Sequence, residues 1–312
     1  GDGRADVFVW FEGDKVVRQE EDSNFDGVVD RRSSAGSSGS QVQEADSNGD
    51  GRIDTWLTVD AGGNVVQRKE DKDFDGSPDV TISLRDGKPV KLEQMSAGKG
   101  CVELTQTYDA AGNVVSESKD TNADCKIDVW TYLESGSVVR QGQDTKGLGR
   151  PDVLTIFGAD GRPIAQELIS DPKGKRPDKR LVLDANGQVA SQCLDTNANG
   201  TLDARAVVSN GVVGEVWLDT KGKGNADQRE VYKDGQRVAL EADTNADRLV
   251  DVVQVFAGGQ LARQDEDTDF DGVIDQRFEG DKPVAVPPGA KISATKFGPL
   301  DCGRFSEFWT RR

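Results

Sequence analysis

The sequence predicts an all-β protein. Tandem hairpins of about 24 residues form one long, twisted or spiral antiparallel meander, with a calcium loop on the same edge of each repeat. Three observations carry this reading. A nine-residue pattern of Asp, Asn and Gly returns at an interval of 24 or 25 residues along nearly the whole chain. Between its copies lie two short runs rich in Val, Thr, Leu, Phe and Trp, separated by a turn sequence. No segment shows a helical period of apolar residues, and a fixed period of this length marks a repeat array.

The loop comes first because it sets the period. In Asp46-Ser47-Asn48-Gly49-Asp50-Gly51-Arg52-Ile53-Asp54 the side-chain oxygens fall at positions 1, 3, 5 and 9, with glycine at 6. Alternate residues of a tightly curled loop point inward, and the glycine permits the turn that aims the carbonyl of position 7 at a cation. A hard ion that takes six to eight oxygens suits this set. Seven copies keep the ligands at positions 1, 3, 5, 7 and 9, position 7 acting through its carbonyl. They are Asp22, Asn24, Asp26, Val28 and Asp30; Asp46, Asn48, Asp50, Arg52 and Asp54; Asp71, Asp73, Asp75, Ser77 and Asp79; Asp120, Asn122, Asp124, Lys126 and Asp128; Asp195, Asn197, Asn199, Thr201 and Asp203; Asp243, Asn245, Asp247, Leu249 and Asp251; and Asp267, Asp269, Asp271, Val273 and Asp275. About seven Ca²⁺ ions are therefore expected. Cys125 and Arg248 stand in the glycine slot and Asn199 replaces an aspartate, which weakens those three sites.

Other copies fail by acquiring lysine. The Asp144 copy has Lys146 and Leu148 at positions 3 and 5, the Asp219 copy has Lys221 and Lys223, the Met95 copy has Lys99, and Lys173 and Lys175 lie near Asp171. In these either an ammonium sits where the ion otherwise would, or the motif has simply decayed on a solvated loop. Position 12 holds Ser33, Leu57, Ile82 and Thr131, so the loops lack the bidentate glutamate of a helix–loop–helix site. Glu20, Glu44, Glu70, Glu241 and Asp265, just upstream, are candidates to complete the shell.

Strands follow each loop, as in Thr55-Trp56-Leu57-Thr58-Val59 and Val129-Trp130-Thr131-Tyr132-Leu133. Turns such as Asp86-Gly87 and Asp234-Gly235 then lead to a second strand with a Val pair, as at Val65-Val66 and Val114-Val115. Repeats occupy residues 1–281, about twelve units. Gly1-Asp2-Gly3-Arg4-Ala5-Asp6 matches positions 4 to 9 of a loop, so the first unit reads as truncated and the natural protein as longer. Residues 282–312 break the period with Pro283, Pro287 and Pro288 and gather Phe297, Phe305, Phe308 and Trp309, a candidate C-terminal cap. A six-bladed β-propeller is the alternative arrangement. Strands such as Arg31-Arg32-Ser33-Ser34 do not supply the two apolar faces its inner strands need.

The nine-residue pattern set between strands resembles the calcium loops of FG-GAP and integrin-type repeats and of thrombospondin type 3 and dockerin repeats. The hairpin Tyr108-Asp109-Ala110-Ala111-Gly112-Asn113-Val114-Val115 is similar to the YD units of RHS-type proteins. These resemblances imply secreted or surface proteins in which calcium is structural. The 24-residue spacing departs from a propeller repeat.

Composition sets the functional class. Hydrophobic residues make up 35% of the chain, aromatic 6% and charged 30%, too polar for a thick two-layer core. A net charge of −17 excludes nucleic acid and anionic membrane as partners, and seven divalent ions would cancel most of it. There is no membrane-spanning apolar run. With no histidine, and no nucleophile-elbow, P-loop or dinucleotide motif, the chain is read as non-enzymatic. Cys101 and Cys125 lie one period apart and are expected to pair, leaving Cys193 for Cys302 in the tail, a bridge that pins the tail down the side of the array. Disulfides and millimolar calcium both belong to an exported location: secreted, cell-surface or periplasmic. Phe25, Phe74 and Phe270, at position 4 of three loops, are expected to pack on neighbouring loops or to face a partner. The expected function is a surface or secreted array rigidified by calcium for a structural or adhesive role. The alternative is a recognition module for a partner protein or glycan.

Overall fold

A computed structural model describes residues 3–309. Gly1 and Asp2 of the truncated first loop, and Thr310 to Arg312 of the tail, lie outside the described residues. Among those described, the chain forms 24 β-strands and two short 3₁₀ turns. It divides at Pro151/Asp152 into two units.

The first unit holds twelve strands, from Val7–Glu12 to Ser137–Gln143. Each pairs antiparallel with its neighbours in sequence, within hairpins and across the loops alike, as in Val7–Glu12 with Lys15–Glu21 and Lys15–Glu21 with Arg31–Ala35. Pairing runs unbroken through these strands to Val129–Glu134 with Ser137–Gln143, so they do not group into four-stranded blades. Even Arg31–Ala35, with almost no apolar content, takes its place, because ladder hydrogen bonds and not burial recruit it. Hairpin tips use two left-handed residues, as at Asp86 (φ 51°) and Gly87 (φ 73°), the geometry that matches strand twist.

This first unit has scarcely any hydrophobic interior. Apart from Gly142 and Pro151, its buried described residues are Val80 and six loop aspartates: Asp22, Asp30, Asp46, Asp54, Asp71 and Asp120. Both sheet faces are half-buried at most, which fits a single layer.

The second unit repeats the meander with twelve strands, from Val153–Phe157 to Lys282–Pro283. It adds what the first unit lacks. From Val284 onward the chain turns back along the loops. Ile274 donates its N–H to Ala290, Phe297 to Arg248, and Ala226 to Gly298. Phe297, Leu300 and Cys302 close over Cys193, Ala226 and Val250 to make a buried apolar cluster flanked by Trp217 and Val253. The tail is thus a strap crossing several repeats, not a plug over the final strand. Its far end is held by Glu167, fully buried, which accepts from the N–H of Ser306 at 2.9 Å and from Trp309 Nε1 at 2.7 Å and pairs with Arg180 at 2.8 Å. Burial pushes the Glu167 carboxyl above its ordinary value, against the opposing pull of Trp309, Ser306 and Arg180.

Both expected disulfides form. Cys101–Cys125 joins adjacent loops and Cys193–Cys302 ties the strap down, with Cα separations of 5.7 and 5.9 Å. Such bridges belong to an oxidising, non-cytoplasmic environment. No helix among the described residues is long and apolar enough to cross a membrane.

Candidate metal centres

Each ligand-bearing loop is built by its first and last aspartates. Asp22 Oδ1 accepts the N–H of Phe25 at 2.7 Å, and Oδ2 that of Gly27 at 2.8 Å. Asp46 does the same for Gly49 (2.7 Å) and Gly51 (2.6 Å), and Asp71 for Phe74 (2.8 Å) and Gly76 (2.7 Å). The ninth residue closes the other end. Asp30 Oδ2 accepts the N–H of Ser23 at 2.7 Å, its hydroxyl at 2.8 Å and the N–H of Asn24 at 3.0 Å. Curling the chain this tightly leaves backbone N–H groups pointing inward, and carboxylates are the groups that satisfy them.

The sequence reading missed position 2. Ser23, Ser47, Thr121, Thr196, Thr220, Thr244 and Thr268 each donate both N–H and hydroxyl to the ninth-position aspartate. The signal was present: a hydroxyl residue recurs directly after the first aspartate of most loops. Position 4 was missed as well. It is left-handed in all seven ligand-bearing loops: Phe25, Gly49, Phe74, Ala123, Ala198, Ala246 and Phe270 have φ from 58° to 76°. Position 6 is left-handed too, including Cys125 (φ 68°) and Arg248 (φ 75°), which take the conformation expected of glycine.

Positions 1, 3 and 9 converge. In two loops all three are aspartates, and one oxygen from each of Asp71, Asp73 and Asp79, and likewise of Asp267, Asp269 and Asp275, lies within 4.8 Å of the others. The fifth-position residues Asp75 and Asp271 are not in these groups; one oxygen of each accepts the N–H of position 7, from Ser77 at 2.7 Å and Val273 at 2.8 Å. Where asparagine replaces aspartate at position 3, as in Asn24, Asn48 and Asn245, its Oδ1 accepts the N–H of position 5 at 2.7 to 2.8 Å. Position 7 contributes its N–H to this turn, and in the Asp243 and Asp267 loops Leu249 and Val273 also bridge to the strap at Lys296 and Lys291.

Charge crowding shows where a cation fits. The Asp75 N–H lowers the Asp73 carboxyl, but burial and the charges of Asp75, Asp79 and Asp71 outweigh it and hold the group above its ordinary value. Burial and the charges of Asp271, Asp275 and Asp267 do the same to Asp269. By contrast the Ser23 hydroxyl, opposed by burial, holds Asp30 below the ordinary range, and the Thr268 hydroxyl does so for Asp275. An all-oxygen set with carboxylates repelling at its centre fits a hard dication.

Four of the five upstream carboxylates pair with arginines. Glu241 pairs with Arg229 at 2.9 Å, Asp265 with Arg277 and Arg263, Glu20 with Arg18 and Arg32, and Glu70 with Arg68, on or beside the sheet surface. Lys221 does not fold into its own loop. Its ammonium donates to the carbonyls of Asp243 (2.7 Å) and Thr244 (3.3 Å) in the next loop, and Lys99 reaches the Ala123 carbonyl in the same manner. The Asp219 loop keeps its shape without ligands at positions 3 and 5, since Asp219 still accepts from Lys223 and Gly224 and Asp227 from Thr220. Phe25, Phe74 and Phe270 are 55%, 43% and 47% exposed, so neighbouring loops do not cover them.

No known protein family matches this sequence, and no curated protein does. Among solved structures, the chain is similar to S. aureus TarM in a complex with fondaparinux, α-GlcNAc-glycerol and UDP, at 14% identity and a TM-score of 0.26, over 43% of this chain and 20% of that one. It is also similar to a porin-like protein from Bacteroides uniformis, at 12% identity and a TM-score of 0.19, over 78% of this chain and 91% of that one. A third similarity is to a TcdB2–TccC3–Cdc42 structure, at 12% identity and a TM-score of 0.18, over 95% and 18%. The chain thus spans about a fifth of the TarM structure's length. Overlaps this loose carry no argument about function.

Proposed function

We propose that this is a non-enzymatic calcium-binding repeat protein of an exported compartment, in which about seven ions hold the loop edge of the meander rigid. One observation carries the reading: six of the nine buried described residues of the first unit are loop aspartates. A buried anion needs a partner, and hydrogen bonds from the backbone neutralise only part of each charge. Positions 1, 3 and 9 of each ligand-bearing loop would hold the ion, with Asp73 and Asp269 making the two most anionic sites. Calcium would supply the cohesion that burial of an apolar core supplies in other folds. The role that follows is structural or adhesive.

Thermal unfolding followed by circular dichroism, in calcium, then in EDTA, then with calcium restored, tests this. A ligand that binds only the folded form at a hundred times its Kd stabilises by about 2.7 kcal/mol. The expected result is a large, reversible fall in melting temperature in EDTA. An identical melt in both buffers overturns the proposal.

The exposure of Phe25, Phe74 and Phe270 favours a second reading, in which loop tips contact a partner protein or glycan. Loss of a saturable ligand on replacing the three phenylalanines would support it.

A further inference from the structure

A single rule generates one row of side chains in each unit. Residues two before the first loop position and two after the ninth pair across successive strands. In the second unit this row reads Leu154, Glu167, Arg180, Cys193, Arg205, Trp217, Arg229, Glu241 and Val253. The strap lies along it. Trp309 and Ser306 meet Glu167, the Arg304 carbonyl meets Arg180, Cys302 meets Cys193, and Phe297 sets its ring edge-on to Trp217 at 5.9 Å. Thr295 Oγ1 then accepts from Arg229 at 3.4 Å, and Ser293 Oγ donates to Glu241 at 2.8 Å. Ser293, Thr295 and Phe297 alternate along the strap, as one edge of an extended chain does.

The same rule in the first unit gives Phe8, Glu20, Arg32, Glu44, Trp56, Lys69, Thr81, Glu93 and Thr105. Its middle repeats the order aromatic, cation, carboxylate, with Thr81 interposed. Here no strap lies across it. Among the described residues the Trp56, Lys69 and Thr81 side chains form no hydrogen bond, ion pair or ring contact, and Glu93 meets only the exposed Lys91. A half-buried indole beside an unpaired ammonium is the arrangement that the strap covers in the second unit.

We propose that the Trp56–Lys69–Thr81–Glu93 row is a docking strip for an extended peptide segment of another chain, with the strap's chemistry: an aromatic side chain and two hydroxyls at alternate positions. The aromatic ring packs on Trp56, one hydroxyl accepts from Lys69, and the other donates to Glu93. The occupant is fixed by the repeat, since the same row, generated by the same positions, takes such a segment within this molecule. Docking on this row does not require the loops to bind calcium.

The probe is a synthetic peptide matching residues 291–300, titrated into the full chain in calcium buffer and followed by calorimetry. Saturable binding is expected, weakened about tenfold or more by Trp56→Ala and by Glu93→Lys, a tenfold change in Kd being 1.4 kcal/mol. Glu93→Lys alters a partly exposed side chain and keeps the test valid if Trp56→Ala disturbs folding. Absence of saturable binding overturns the proposal. So does binding that survives both substitutions, which would place the peptide on the strap's own row instead.

Discussion

The backbone N–H of Asp46 donates to the carbonyl of Asp30 at 2.8 Å, so the last residue of one Asp-rich loop is bonded to the first of the next. The same bond joins Asp71 to Asp54, Asp243 to Asp227 and Asp267 to Asp251. Loops within a unit are therefore held edge to edge, and an ion bound in one loop would also fix the backbone of its neighbour.

Replacing a first-position aspartate tests how much of this belongs to the carboxylate itself. Asp46→Ala strands the N–H groups of Gly49 and Gly51. Bonds to a charged group contribute about 1.5–3 kcal/mol each, so destabilisation should persist in EDTA. Urea unfolding of both proteins in calcium and in EDTA separates the two contributions; equal stability in EDTA would mean the aspartate acts only through the ion.

Calcium affinity should fall as pH drops. Asp73 and Asp269 are held above their ordinary values, so protons compete for them at higher pH than for an isolated aspartate. Calorimetric titration across the acidic range should show weaker binding with proton release. Asp73→Asn and Asp269→Asn should flatten that dependence and reduce affinity at neutral pH.

Acid stability in EDTA carries a definite sign. The folded-state values of Asp30 and Asp275 lie below 3.8, so the unfolded chain binds more protons in that window. Their contribution is present above 3.8 and is lost as pH falls through the lowered values. Ser23→Ala and Thr268→Ala remove the hydroxyls responsible, and acid unfolding should begin at higher pH. Glu167 acts in the opposite sense: its value is raised, so its share is greatest below 4.5 and is lost as pH rises through the folded value.

Reduction should weaken the second unit more than the first. Cys193–Cys302 closes a separation of 109 residues and Cys101–Cys125 one of 24. Chain entropy assigns roughly 4–5 kcal/mol to a loop of the first size and about 3 kcal/mol to the second. Cys302→Ser should also release the strap and expose Phe297 and Trp217, readable as a red shift in tryptophan fluorescence. Unchanged emission would mean that the strap holds without its bridge.

Phe25→Gly should raise stability by roughly 0.5–1 kcal/mol, because a bulky residue at φ 67° is strained and its ring gains little burial. A loss of stability on that substitution, read by urea unfolding, would show that the ring packs in solution.

The local elements were legible because their chemistry is local. Left-handed turn pairs such as Asp86-Gly87 and β-branched runs act over fewer than ten residues, and each formed where its pattern stands. The disulfide pairs were legible through the period, which places Cys101 and Cys125 in neighbouring loops. The role of Ser23 and its equivalents was written in the sequence and overlooked, since a hydroxyl between two carboxylates reads as filler until the ninth-position aspartate is known to need a donor.

By itself, then, the sequence determined the repeat, the hairpins and the cysteine pairing, all consequences of spacing along the chain. Tertiary structure alone decided the path of the strap, the burial of Glu167 beneath Trp309, the reach of Lys221 into the next loop and the contrast between a first unit that buries carboxylates and a second that buries Phe297. The seating of Trp309 on Glu167 depends on residues 142 positions apart meeting on one sheet face, and the reach of Lys221 on a loop 22 positions away. A repeat pattern is nearly identical in every unit; Cys193 alone marks where the tail is tied, and the contacts on either side of that bridge follow from packing.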